Sequence, residues 1–234
     1  PRRWSVYRAV PFGEDECVQM GAGSQLVCSF SHHTAAARAT SAEFLVNANE
    51  SLAEASAFFR EASTIIITLG TAWTFRFNAT GEIVSNCLKR DAKEFTRERL
   101  SLKTCSVLLN SLVGKYPQKR FIFTVSPIRH LKDGAHGNQI SKSTLLMAVE
   151  SVVENHPDQC VYFPAYEIMM DELRDYRFYA EDMVHPSQQA INYIWERFCD
   201  FALPETEQAT LEKNRKAFLQ SQHRIITKSH NTDK

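Results

Sequence analysis

Thr64-Ile-Ile-Ile-Thr-Leu69, closed by Gly70-Thr71, is the stretch whose reading decides the fold. A β-branched, apolar run without polar alternation suits a strand buried on both faces, as in a parallel sheet flanked by helices. Ligands of such sheets bind at the carboxyl ends of the strands, so Gly70, Thr71 and Trp73 fall where chemistry is done. Two further runs repeat the pattern: Arg120-Phe-Ile-Phe-Thr-Val125, closing at Ser126-Pro127, and Cys160-Val-Tyr-Phe163, closing at Pro164. Helical periodicity fills the intervals. One helix is predicted from Ser41 to about Ser63, with Phe44, Leu45, Ala48, Leu52, Ala55 and Phe59 on one stripe. Others are predicted over Thr96–Tyr116, ended by Pro117, over Ser141–Asn155 with Ser141 as its cap, and over Ala165–Arg174. A last one in this series runs to Phe201 and carries Ala190, Ile191, Ile194, Trp195 and Phe198. The alternation predicts an α/β fold: three layers, α/β/α, around a mostly parallel, flavodoxin-like sheet. Right-handed crossovers would bring every strand's carboxyl end to one edge.

Around this centre the patterning is looser. Thr74-Phe-Arg-Phe77 and Glu82-Ile-Val-Ser85 alternate about Asn78-Ala-Thr-Gly81 and predict a hairpin. Residues 1–40 form an irregular N-terminal segment, in which only Leu26–Phe30 resembles a strand. Residues 41–203 form the α/β domain, and residues 204–234 a charged helix and tail. His32-His33 reads as a pair of polar loop residues, since adjacent side chains point apart.

The 27 basic and 27 acidic residues cancel, which argues against a nucleic-acid partner. No apolar run reaches membrane-span length, and no signal-peptide pattern is present, so a cytoplasmic location is expected. The six cysteines are scattered, with no Cys-x-x-Cys and no histidines at metal-ligand spacing; neither a metal nor a cofactor is expected.

Chemistry concentrates at Asp182-Met-Val-His185, just before the helix that ends at Phe201. A carboxylate three residues before an imidazole can hold one ring nitrogen and leave the other as a base, the base-and-orienter half of a hydrolytic triad. The bland alternative is a capping Asp beside a surface His. Gly70, Thr71, Asn86, Ser126, Arg129, His130 and Asn138 are the candidates for substrate or oxyanion contacts, all expected near the strand ends. Arg129 is equally readable as an ion pair with Asp133 or Glu167. Trp73, Tyr166 and Tyr179 are candidates for a sugar-stacking platform.

These motifs keep company. Ile66–Trp73, Asn86-Cys87, Thr124–His130 with Asp133-Gly134, Asn138-Gln139 and Ser141-Lys142, and Tyr162–Tyr179 running into Asp182–Ser187 resemble the GSCFA family. That resemblance implies the SGNH (GDSL-like) hydrolase superfamily, whose last sequence block is Asp-x-x-His. It further implies a serine esterase or acyl transferase acting on an O-acylated small-molecule or carbohydrate substrate. His185 would be the base and Asp182 its orienter. The family's Gly-Ser-Cys-Phe-Ala motif is absent, so the first strand and nucleophilic serine are expected upstream of Pro1. Ala72 stands where the superfamily's oxyanion Asn would fall, so a non-catalytic ligand- or carbohydrate-binding domain on the same scaffold is the alternative.

Overall fold

The computed structural model describes residues 9–229, with side chains through residue 221; the expectations for the first eight and last five residues lie outside it. The described chain divides into two compact units, residues 9–126 with 130–162, and residues 127–129 with 163–229.

The first unit opens with a short antiparallel ribbon, β1 (Val18–Gln19) and β2 (Val27–Cys28), followed by α1 (Ser41–Glu61). Thr40 caps α1 by accepting the Glu43 amide at 3.2 Å. Then come β3 (Thr64–Leu69), β4 (Trp73–Phe77), β5 (Ile83–Val84), β6 (Phe95–Arg99), α2 (Leu102–Lys115), β7 (Arg120–Val125), α3 (Gly134–Asn155) and β8 (Cys160–Phe163). β3, β7 and β8 form the predicted parallel sheet in that order, with β3 and β7 in register from Thr64↔Arg120 to Leu69↔Val125. One face of the sheet carries Ile65, Ile67, Leu69, Phe121 and Phe123. They pack on Val113 and Tyr116 at the end of α2 and on Val149 and Val152 of α3. The protein is therefore α/β, as the alternation of elements predicts.

Three local expectations are corrected. β3 is not buried on both faces: it is an edge strand, and Ile66, on the face away from that core, is 55% exposed. The helix expected from Thr96 starts at Leu102 instead, capped by Ser101, whose Oγ accepts the Thr104 amide at 3.1 Å. Phe95–Arg99 extend the hairpin into a three-stranded sheet by pairing with β4, Trp73↔Arg99 through Phe77↔Phe95. Each residue of that strand has a cross-strand partner, which outweighs its helical propensity. Third, α3 begins at Gly134, so Ser141 lies inside the helix and is fully buried rather than capping it. Its first turns are polar and rich in glycine, which made them resemble a loop.

The segment before α1 is irregular, yet it builds a second core. Phe12, Met20 and Cys28 pack with Phe44 and Ala48 of α1 and with Leu88. Gly21 is required there, because a Cβ would lie 2.1 Å from the Lys89 carbonyl oxygen.

The second unit contains α4 (Ala165–Glu167), which widens into a π-helical stretch over Ile168–Leu173 and stops at left-handed Arg174. α5 (Gln188–Ala202) follows, then α6 (Glu205–Ser229). Ser187 caps α5, accepting the Ala190 amide, and Pro186 stands one residue before the cap. Met169, Leu173, Phe178, Tyr179 and Ala190 form this unit's core. Among the described residues no helix is long and apolar enough to cross a membrane.

Candidate functional site

In the first unit, the carboxyl ends of β3 and β7 are tied together from α3. Lys142 is fully buried, and its Nζ donates to the carbonyl oxygens of Gly70 (2.7 Å) and Ser126 (2.6 Å), the residues that follow the two strands. Burial lowers its pKa from 10.5 to about 8. Ser141 beside it accepts the Ala72 amide at 2.8 Å and meets the Thr71 hydroxyl at 3.0 Å. His130 Nε2 lies 3.2 Å from the same Gly70 carbonyl. A carbonyl only accepts, so His130 carries its proton on Nε2. Burial, then the Lys142 charge, lowers the His130 pKa. Asn138 accepts the His130 amide at 2.9 Å. Gly70, Thr71, Ser126, His130 and Asn138 thus come together, and the contacts they make there are internal ones. Each of these hydrogen bonds holds a strand end or a turn.

Asn86 does not join this cluster through any hydrogen bond. Its side-chain oxygen accepts the Leu88 amide at 2.8 Å, closing a turn at a residue with φ +52°. The ion pair of Asp133 is with Arg97 (2.5 Å), not Arg129. The carboxylate is almost wholly covered, and hydrogen bonding to Arg97 lowers its pKa. Arg97 also lies 4.1 Å over the Trp73 ring, which occupies that aromatic face. Tyr166 and Tyr179 are both buried, so neither offers an open stacking surface.

The second unit holds the other group. Asp182 Oδ2 and His185 Nδ1 are 2.6 Å apart, and both side chains are at least half exposed. Asp182 Oδ1 accepts the amides of Val184 (2.8 Å) and His185 (3.0 Å). These contacts, led by the His185 amide and its ring, bring the Asp182 pKa down to about 2. An ionised carboxylate fixes the hydrogen on Nδ1 and leaves a lone pair on Nε2, the tautomer required of a general base. Within the turn Met183 is left-handed, at φ +59°. It is closed by Ala180 N–H donating to the His185 carbonyl at 2.8 Å and by Ser187 N–H donating to Phe178 at 2.7 Å. The family model named GSCFA matches residues 6–198.

The chain belongs to the GSCFA family. No curated protein and no solved structure matches it.

Within this GSCFA chain, sequence reasoning missed two things. Lys142 was visible in principle: it occupies a buried position of the stripe Ser141, Lys142, Leu145, Ala148, Val149 and Val152, where a lysine needs acceptors. The other is a serine–histidine contact, Ser29 Oγ to His32 Nδ1 at 2.7 Å, in a segment read as a short strand followed by polar loop residues. Ser29 is 2% exposed and its Oγ also accepts the Ser31 amide, while His32 lies between the rings of Phe12 and Phe44. That hydroxyl closes a turn and is shielded from any substrate. Among the described residues no three His, Cys, Asp or Glu side chains converge to hold a metal ion.

Proposed function

We propose that Asp182 and His185 are the orienter and general base of an ester-hydrolysing or acyl-transferring site of SGNH type. The observation that carries this reading is the Asp182 carboxylate: one oxygen is fixed by two backbone amides and the other by His185 Nδ1, which leaves Nε2 as the basic atom. In such chemistry Nε2 takes the proton of the attacking hydroxyl as its oxygen bonds to the acyl carbon. It then returns the proton to the departing alcohol. The hydroxyl would be the serine of the family's Gly-Ser-Cys-Phe-Ala motif, which residues 1–234 do not supply. The substrate class is an O-acylated small molecule, such as a carbohydrate ester.

A binding domain without turnover is the second reading. It is favoured by the first unit, where Asn138 is engaged with the His130 amide and Ala72 offers no side-chain donor. Hydrolysis of a short acyl ester by the full-length protein separates the two. The first reading predicts turnover that His185→Ala and Asp182→Asn remove without loss of fold. Saturable binding of the ester with no turnover would establish the second.

A further inference from the structure

We propose that Arg129 is a positioning residue for the Asp182–His185 pair. This rests on the base-and-orienter reading above. Three separate contacts join Arg129 to the turn that carries the pair. Its backbone amide donates to the Val184 carbonyl at 3.2 Å. Its Nη1 donates to the Met183 carbonyl at 3.3 Å. Its guanidinium lies 3.7 Å over the ring centroid of Tyr179, and Tyr179 is bridged to Pro186, the residue after His185.

The contacts address a specific weakness. In the turn where Asp182 holds the amides of Val184 and His185, Met183 adopts a left-handed conformation, which costs a non-glycine residue roughly 1–3 kcal/mol. Left alone, the turn would relax, and the carboxylate would lose its grip on the His185 amide and Nδ1 together. Arg129 holds the two carbonyl groups that bracket the critical peptide, Met183 and Val184. The planar guanidinium needs a flat support to keep one of its donors on a carbonyl, and the Tyr179 ring gives it one. Tyr179 is 8% exposed, and its hydroxyl has no hydrogen-bond partner, so what it offers Arg129 is its ring. A lysine would keep the charge and lose both the flat stacking and the fixed donor direction.

The test needs no substrate in its first arm. Ring ¹⁵N shifts of His185 report which nitrogen carries the proton. The wild-type protein is expected to show the Nδ1–H tautomer, Arg129→Met a mixture of tautomers, and Arg129→Lys an intermediate state. Thermal unfolding confirms that each variant is folded; if the Met variant is not, the Lys variant carries the comparison. In the second arm, kcat of the His185-dependent ester reaction is expected to fall about ten- to a hundredfold in Arg129→Met with KM little changed. Unaltered His185 shifts in a folded variant overturn the proposal even if the protein hydrolyses esters. A rise in KM alone also overturns it, because Arg129 would then contact substrate. Altered shifts in a protein without turnover would support the clamp while removing the hydrolase reading.

Discussion

His130 and His185 both stand at the ends of well-formed hydrogen bonds, yet the two regions use their imidazoles in opposite ways. In the first unit, His130 spends its Nε2 hydrogen on the Gly70 carbonyl, beside a fully buried lysine that does the same. In the second, His185 spends its Nδ1 hydrogen on Asp182 and keeps the Nε2 lone pair. The partner decides the role. A backbone carbonyl fixes a strand end, whereas an ionised carboxylate fixes a tautomer and supports the imidazolium that forms as a proton is taken. Burial separates them further: Lys142 and Ser141 are fully buried, while both side chains of the Asp182–His185 pair are at least half exposed.

The sharpest way to break this contrast is to exchange each histidine for alanine. His185→Ala should lower ester turnover roughly 10²–10⁴-fold, the usual reach of a positioned base, and leave the melting temperature unchanged. His130→Ala should do the reverse, costing about 1 kcal/mol of stability for one lost hydrogen bond with turnover retained. Equal loss of turnover in both would erase the distinction.

Lys142 sharpens the structural side. Lys142→Ala removes the Lys142 hydrogen bonds to the Gly70 and Ser126 carbonyls, leaving His130 on the Gly70 oxygen, and opens a cavity, so urea unfolding should show a loss of about 2–5 kcal/mol. The wild-type protein should also carry a pH signature. Below pH 8 the folded state must hold a buried ammonium. Above it the folded state releases the proton while the unfolded chain keeps it up to 10.5. Stability therefore rises with pH between about 8 and 10.5 and falls back as pH drops through 8. The gap, at ~1.4 kcal/mol per pH unit, is worth about 3 kcal/mol. Subtracting the curve of Lys142→Met isolates it, since burial of Cys160 acts in the opposite sense in alkali.

Smaller effects follow. Ser141→Ala should cost about 1–3 kcal/mol by stranding the buried Ala72 amide, measurable by the same unfolding titration. Ser29→Ala should leave turnover unchanged, because its hydroxyl serves a turn beneath Phe12 and Phe44; an inactive but folded variant would move the nucleophile to Ser29.

Much of this was legible in the chain. Three apolar runs separated by helical stripes gave the parallel sheet, and Asp182-x-x-His185 gave the pair, because both depend on local spacing. What failed depended on tertiary partners. Phe95–Arg99 has helix-compatible composition and becomes a strand only because β4 is there to pair with. The helix predicted from Ser141 begins at Gly134, since an exposed, polar first turn needs no apolar residue. Ile66 reads as buried and is open, because a sequence does not show which strand lies at an edge. Among the site candidates, chain position located Gly70, Ser126 and His130 but not their use. Whether the Gly70 and Ser126 carbonyls are free or engaged is decided by a lysine more than ten residues further along.

The most direct test of the central claim is fluorophosphonate labelling of the full-length protein, wild type against His185→Ala, with the modified residue mapped by mass spectrometry. The account predicts one labelled serine whose modification requires His185. Labelling that persists in His185→Ala, or no labelling at all, would contradict it.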